Sequence, residues 1–486
     1  MRVAVYAPIS LWEMHQAQIV DIIWRESKNN AQVTLLSCKK GLVFCASNPT
    51  NEVLKCHECI HRTKHLLKEI LPSKTKNIWL HRNPTSKETE TRIRNVKSHR
   101  ELEEFSFEGW PVGKTVLSEL VSFTRSIYIS DAEVKTLAQE NLKYAIGMYL
   151  QAKDILNDKF DRIYIWGGRR SSEDCVAAAA RALSIPIVYF EVGSSIGKYL
   201  VTPNEPHSYG GIKNEILSFA DKSTSFKRTE ISVSAERYFE SLRLGNAHTP
   251  HFKNFLAGYK EEVPKEVKHS SKPTLTIFTS SAWEFAFFKD REEAPREFLD
   301  IYALYLRMSL DVDIHSRFNV IFRWHPNLIN AGKLEIEKVD EIVEISKNQC
   351  LHIRPGDRVN SYDLLENSNV VVITGSTIGI ESAFLGKPTI LLGKAIYSGL
   401  GSVYEPSSYF EFKKLLLSQP KALSVEGAKL WAHWTSNYGI EFEFVRKQKT
   451  HYYFGSRRIG KTSFLLTNLQ RIYRWRQKVL SLTVRA

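Results

Sequence analysis

Twice along this chain, short runs rich in Val, Ile and Phe alternate with longer amphipathic stretches. The first series predicts strands at 2–6, 32–36, 161–166 and 185–190. Helices are expected over 11–25, from Ser130 to about Asn157, and after Ser171 or Ser172. Glu133 stands three residues beyond Ser130 and completes a capping box there. The second series predicts strands at 274–279, 319–323, 350–353, 369–374 and 388–392. Such alternation specifies parallel sheets, because parallel neighbours are joined only by a crossover long enough to hold a helix. A chain of 486 residues is also too long for one core. The expected fold class is therefore α/β, with two Rossmann-like domains facing each other across a cleft. Residues 1–268 form the first, 269–440 the second, and 441–486 a basic helical tail. The polar stretch 210–272 reads as a linker.

Charge narrows the function classes. The net charge is +14, and eleven Lys and Arg with no Asp or Glu lie between Arg446 and the C-terminus. Basic charge spread over the whole surface would point to nucleic acid, which is not expected as a partner here. Gathered in one tail, it points to an anionic membrane face. Past Thr462, an apolar stripe of Phe464, Leu465, Leu469, Ile472, Trp475, Val479 and Leu482 runs beside Arg471, Arg474, Arg476 and Lys478. That pattern suits a helix adsorbed to lipid, or one packed back over the first domain. No apolar run is long enough for a transmembrane helix. Glu13, His15 and Gln16 interrupt any signal-peptide core. The expected location is the cytoplasm, peripheral on the inner face of the cytoplasmic membrane.

Three segments of the second half carry candidate chemistry. The strand before Gly375 turns into a helix beginning with Ser376 and Thr377, where backbone N–H groups and two hydroxyls suit a phosphate. Glu381, one turn on, is placed to accept from a ribose. The bland reading is an ordinary capped helix. In Ile321–Asn327, a strand delivers Arg323 and His325 to its C-terminal end and Pro326 stops it. The third segment runs from a strand into Ser280 and Ser281, with Glu284 beyond. No Asp-x-Asp stands in a suitable loop, since Asp311-Val-Asp313 lies in a helix-to-loop stretch. No cofactor for catalysis is expected, with Arg323, His325 and the 376–377 turn in place of a metal.

In this order, over about 275–400, the segments resemble the donor half of bacterial capsule and surface-polysaccharide glycosyltransferases of GT-B fold. These include His-Pro transferases that use activated sialic acid or Kdo. The resemblance implies that His325, Ser376 and Thr377 contact the donor phosphate. It further implies that Ser280 or Ser281 lines the same cleft, and that Glu381 lies at the ribose. In the first half, Trp166–Arg170, Tyr189–Gly193 and Pro203–His207 resemble the acceptor half, which places Arg169 and Glu191 at the cleft. Glu191 is the first candidate to take the acceptor proton, and Glu13 and His15 are its reserves. Pairing with Arg169 is the structural alternative for Glu191. The expected partners are a nucleotide-sugar donor and a capsule, O-antigen or lipid-linked glycan acceptor. A nucleotide-sugar 2-epimerase, a glycerophosphate-type polymer transferase and a non-catalytic assembly scaffold stay open as alternatives.

Two further motifs remain. Cys38, Cys45, Cys56 and Cys59 are spaced Cys-x6-Cys-x10-Cys-x2-Cys, which suits a structural zinc; an iron–sulfur centre or plain buried thiols are the alternatives. Gly455–Thr462 fits the P-loop pattern letter for letter. Only 24 residues follow it, and none is Asp or Glu, so no nucleotide site is expected there.

Overall fold

The computed structural model describes residues 1–462 apart from 41, 43, 82–83, 196, 223–227, 245–262, 269 and 289. Six strands build most of the first sheet: β1 (Arg2–Ala7), β2 (Gln32–Cys38), β3 (Lys76–Leu80), β4 (Arg162–Trp166), β5 (Ile187–Val192) and β6 (Lys198–Thr202). The second holds β7 (Thr274–Phe278), β8 (Asn319–Arg323), β9 (Leu351–Ile353), β10 (Val370–Ile373) and β11 (Thr389–Leu391). A short β12 (Ile440–Glu441) returns to pair antiparallel with β6. A meander of β13 (Val445–Gln448), β14 (His451–Phe454) and β15 (Arg457–Arg458) follows it.

The two sheets repeat one topology. The first is ordered β12-β6-β5-β4-β1-β2-β3, the second β11-β10-β7-β8-β9. In each, the chain starts in the middle, winds outward to one side, then crosses back to the other. A crevice opens at the C-terminal edge where the winding reverses: between β1 and β4, and between β7 and β10. The central strands are apolar because both faces are covered; Val3, Ala4, Val5, Ile163 and Ile165 are fully buried, as are Leu275, Ile277, Val371 and Val372.

Three expectations need correction. The stretch read as a linker contains helices Tyr209–Lys222 and Arg228–Arg243. Their Ile216, Ala235, Tyr238 and Phe239 pack into the core that holds Val371, Ile373 and Trp431. Their polar residues mark one solvated face, and this helical pair, counted with the first domain, adds to the second domain's core. The helix expected from Ser130 does start with the capping box, but a π-helical turn, Val134–Ala138, interrupts it before Gln139–Leu156. The tail is not helical where it is described, because residues 445–458 are strands. Gly455, at φ 58, sits between β14 and β15 as the turn of a hairpin, so the P-loop lookalike lacks the strand–loop–helix setting that such a loop requires. The amphipathic stripe beyond Thr462 lies outside the described residues. No helix among the described residues is long and apolar enough to cross a membrane.

Asp21 ties the return segment to the first domain. It is fully buried. One oxygen accepts from the backbone N–H groups of Glu443 and Phe444, and the other from Arg25 and the Tyr199 hydroxyl. Asp21→Ala strands these donors and should cost about 2–4 kcal/mol, seen as a clear fall in thermal midpoint. Asp21→Asn, which keeps an acceptor, should lose less.

Candidate functional site

The crevice of the second sheet is built by register. Phe278 pairs with both Arg323 and Ile373, and Ile373 with Leu391, so these strands end level with one another. The residues just beyond them meet at one edge: Thr279–Ser281, Trp324–His325, Thr374–Thr377 and Leu392–Lys394. Gly375 makes the turn with φ 138, a conformation side chains disfavour. Gly379 lets the following helix, Ile378–Phe384, sit close, since a Cβ there would stand 2.4 Å from the Tyr397 hydroxyl.

Hydrogen bonds hold this edge together. The Tyr305 hydroxyl accepts from the Ser280 N–H at 3.0 Å and meets the Thr374 hydroxyl, which donates on to Ser280 Oγ. Ser281 Oγ lies 3.0 Å from His325 Nδ1, which also accepts from the Asn327 N–H. An accepting Nδ1 places the proton of the neutral ring on Nε2. Enclosure by protein and the Arg323 charge lower the His325 pKa to about 4, so the ring is neutral near pH 7. It can act there as a donor, but not as a cation.

Arg323 itself faces inward. It is 2% exposed and donates to the carbonyls of Arg354 and Asp357, holding the loop after β9 rather than reaching into the crevice. Glu381 is also buried. It accepts from the Tyr362 hydroxyl and from Thr377, and burial raises its pKa to about 7. Ser376 and Thr377 are half-buried, and the Thr377 side chain makes no capping bond to the helix backbone, its hydroxyl being taken by Glu381.

Opposite lies the C-terminal edge of the first sheet. Glu191 on β5 accepts from the Val192 N–H, and its other oxygen stands 3.6 Å from His207 Nε2. Its neighbour is thus the His207 imidazole and not Arg169. Arg169 crosses between the domains instead, donating to the Glu284 carbonyl and the Ser122 hydroxyl, with its guanidinium 5.8 Å from the Phe288 ring centre. His15 is buried beneath Trp166 and Phe190, and its Nδ1 lies 3.2 Å from the Ile9 carbonyl. Burial lowers its pKa to about 4, against the pull of Glu191. Glu13, held in reserve as a base, is an anchor: it accepts from the Tyr452 N–H and Arg458 and contacts His451, all on the returning meander.

Several cavities join the edges, among them one of about 190 Å³ bordered by Glu191 and Thr202 on the first domain and by Ile396 and Trp431 on the second. Another, of about 680 Å³, is bordered by Gly167, Arg169 and His207 on the first domain and by Phe288, Arg291 and Glu292 on the second. A smaller one of about 30 Å³ is bordered by Ser280, Thr374, Gly393, Lys394, Arg291 and Tyr209. Asp290 fastens this junction by accepting from the Ser208 hydroxyl and the Gly210 N–H. Sequence reasoning passed over Arg291, Lys394 and Tyr305. A Gly-Lys pair directly after an apolar strand was a usable signal for Lys394. Arg291 and Tyr305 had none, because tertiary packing alone brings them here.

The comparisons with known proteins bear on this second domain. Residues 315–436 match the family described as capsule polysaccharide biosynthesis protein. The match spans β8 through β11, including His325, Ser376, Thr377 and Glu381. No curated protein matches the chain in sequence. Among solved structures, the chain is similar to Thermosulfurimonas dismutans KpsC, beta Kdo 2,4 transferase. Identity is 15% at TM-score 0.35, over 57% of this chain and 79% of that one. It is also similar to a putative UDP-N-acetylglucosamine 2-epimerase from Listeria monocytogenes, with 10% identity and TM-score 0.27 over 91% and 93%. A third is Acinetobacter baumannii MurG, with 9% identity and TM-score 0.25 over 90% and 94%.

The raised Glu381 pKa has a measurable consequence. Its favourable contribution is fully present below about pH 4.5 and is lost as pH rises through about 7. Glu381→Gln should therefore flatten the decline in thermal midpoint between pH 5 and 8, by up to about 3 kcal/mol. Some slope should remain, because burial also raises Glu173 to about 8.

Proposed function

We propose that this chain is a nucleotide-sugar-dependent glycosyltransferase of capsule or other surface-polysaccharide assembly. The observation that carries the reading is the crevice at the second switch point. There His325, Ser376 and Thr377, which lie within the segment that matches the capsule family, converge with Ser280 and Ser281, which precede it.

In this reading the donor's phosphates rest on the Gly375–Thr377 turn. His325 Nε2–H and the Lys394 ammonium stabilise charge as the glycosidic bond breaks. Buried donors fixed in advance by Ser281 and Asn327 lose little free energy in reorganising. The acceptor glycan lies between the rims, where Glu191, which borders the cavity of about 190 Å³ next to the 680 Å³ one, receives its hydroxyl proton with His207 alongside. No metal is assigned a step, since Lys394, Arg291 and the turn supply the positive charge. The basic stretch from Arg446 onward keeps the enzyme against anionic lipid on the cytoplasmic face, where a lipid-linked acceptor is within reach.

A thermal-shift screen against CMP-, UDP-, GDP- and dTDP-linked sugars tests this. One donor should raise the midpoint of the wild type, by an amount equivalent to about 2.7 kcal/mol at a hundredfold excess over Kd. Ser376→Ala and His325→Ala should each weaken that shift, to a tenfold or greater loss of affinity. A folded protein that responds to no donor would favour the scaffold. Release of free sugar without an acceptor would favour the epimerase.

A further inference from the structure

The four N-terminal cysteines meet in space. Cys38 ends β2, Cys45 lies in the loop that follows, and Cys56 and Cys59 face one way from the first turns of helix Val53–Glu69. All four border one cavity of about 30 Å³, and none is in a disulfide. The other two cysteines, Cys175 and Cys350, are buried elsewhere, in the cores of the first and second domains.

The surroundings of the sulfurs are polar in one direction. Cys59 Sγ accepts from the Ser10 N–H at 3.3 Å, and Cys56 Sγ from the Asn48 side-chain amide at 3.3 Å. Cys45 accepts from the backbone N–H groups of Ser47 and Asn48. Neutral thiols are weak acceptors, whereas thiolates take N–H bonds readily. Three sulfurs supplied with N–H donors thus border one shared cavity. Lys40 and Lys55 border the same cavity, Lys55 in an ion pair with Glu52 at 2.6 Å.

From this geometry we infer that Cys38, Cys45, Cys56 and Cys59 bind one zinc ion as a closed tetrathiolate site. Four thiolates around Zn²⁺ carry a net charge of −2, which the N–H donors and Lys40 partly offset. As the side chains stand, no three metal-ligating groups among the described residues enclose an ion. Sulfurs at a zinc distance of about 2.3 Å lie about 3.8 Å apart, so binding requires the four side chains to draw together around the ion. Binding releases a proton from each thiol that is protonated beforehand, with no change in oxidation state.

The site would fasten the loop between β2 and the helix to the turn after β1. Pro8, Ile9 and Leu11 of that turn border the cavity, and Ser10 bonds Cys59 directly. The turn leads to His15 at the first crevice. With four protein ligands the ion has no open position, so its role is to hold structure. This inference does not depend on the glycosyltransferase reading.

Metal analysis of the full-length protein, purified without chelator, tests it directly. The expected result is one zinc per chain, released in proportion as a mercurial blocks the thiols. Cobalt(II) exchanged for zinc should show the absorption of a tetrahedral thiolate site. Cys56→Ser and Cys59→Ser should lower the zinc content at least tenfold, while Cys175→Ser and Cys350→Ser retain it. Folded wild-type protein with under 0.1 zinc per chain, roughly, would overturn the proposal, zinc binding being folding energy for such a site. An iron–sulfur chromophore, or two disulfides in place of titratable thiols, would overturn it equally. Each readout is independent of donor and acceptor, so failure here leaves the transferase reading standing.

Discussion

Parallel pairing sends every strand of a sheet toward the same edge, and the rest of this protein is arranged around that constraint. Loops leaving β7, β8, β10 and β11 have nowhere to gather but at one rim, and reversal of the winding leaves a gap there. The first sheet repeats the order β3-β2-β1-β4-β5 and presents a second rim. Two rims, each lined by strand ends, border the cavities between the domains.

Buried polar groups set the spacing between the rims. Arg169 lies between the domains and is stabilised by a carbonyl, a hydroxyl and an aromatic face rather than a carboxylate. Glu335, fully buried, accepts from the Ile127 N–H of the first domain and from Tyr302 of the second. Each is costly to leave unpaired. A rigid-body separation of the domains would have to replace these partners with water, which favours the closed arrangement and its enclosed cavities.

Much of the fold was legible in the sequence because strand cores such as Val370–Ile373 are apolar on both faces. The segment ends were legible for the same reason, since Ser280, His325 and Ser376 each follow such a run. Contacts remote in sequence were not. Glu13 looked like a cleft residue because it follows β1, but its partners Tyr452 and Arg458 lie far along the chain. Arg323 looked like a phosphate ligand, yet its strand position turns it toward the carbonyls after β9. Helices Tyr209–Lys222 and Arg228–Arg243 hid as a linker, since their buried residues are few and widely spaced. The His207–Glu191 pair required two elements to meet and could not be read from either alone.

The central claim is that the nucleotide binds at the second switch point. Hydrogen–deuterium exchange in the presence of a saturating nucleoside phosphate of the matching base tests it most directly. The account predicts added protection at 279–281, 324–327, 374–378 and 392–395, with β9 and the C-terminal meander unchanged. Protection confined to the first sheet's rim, around Gly167–Arg170 and Glu191–Gly193, would contradict it.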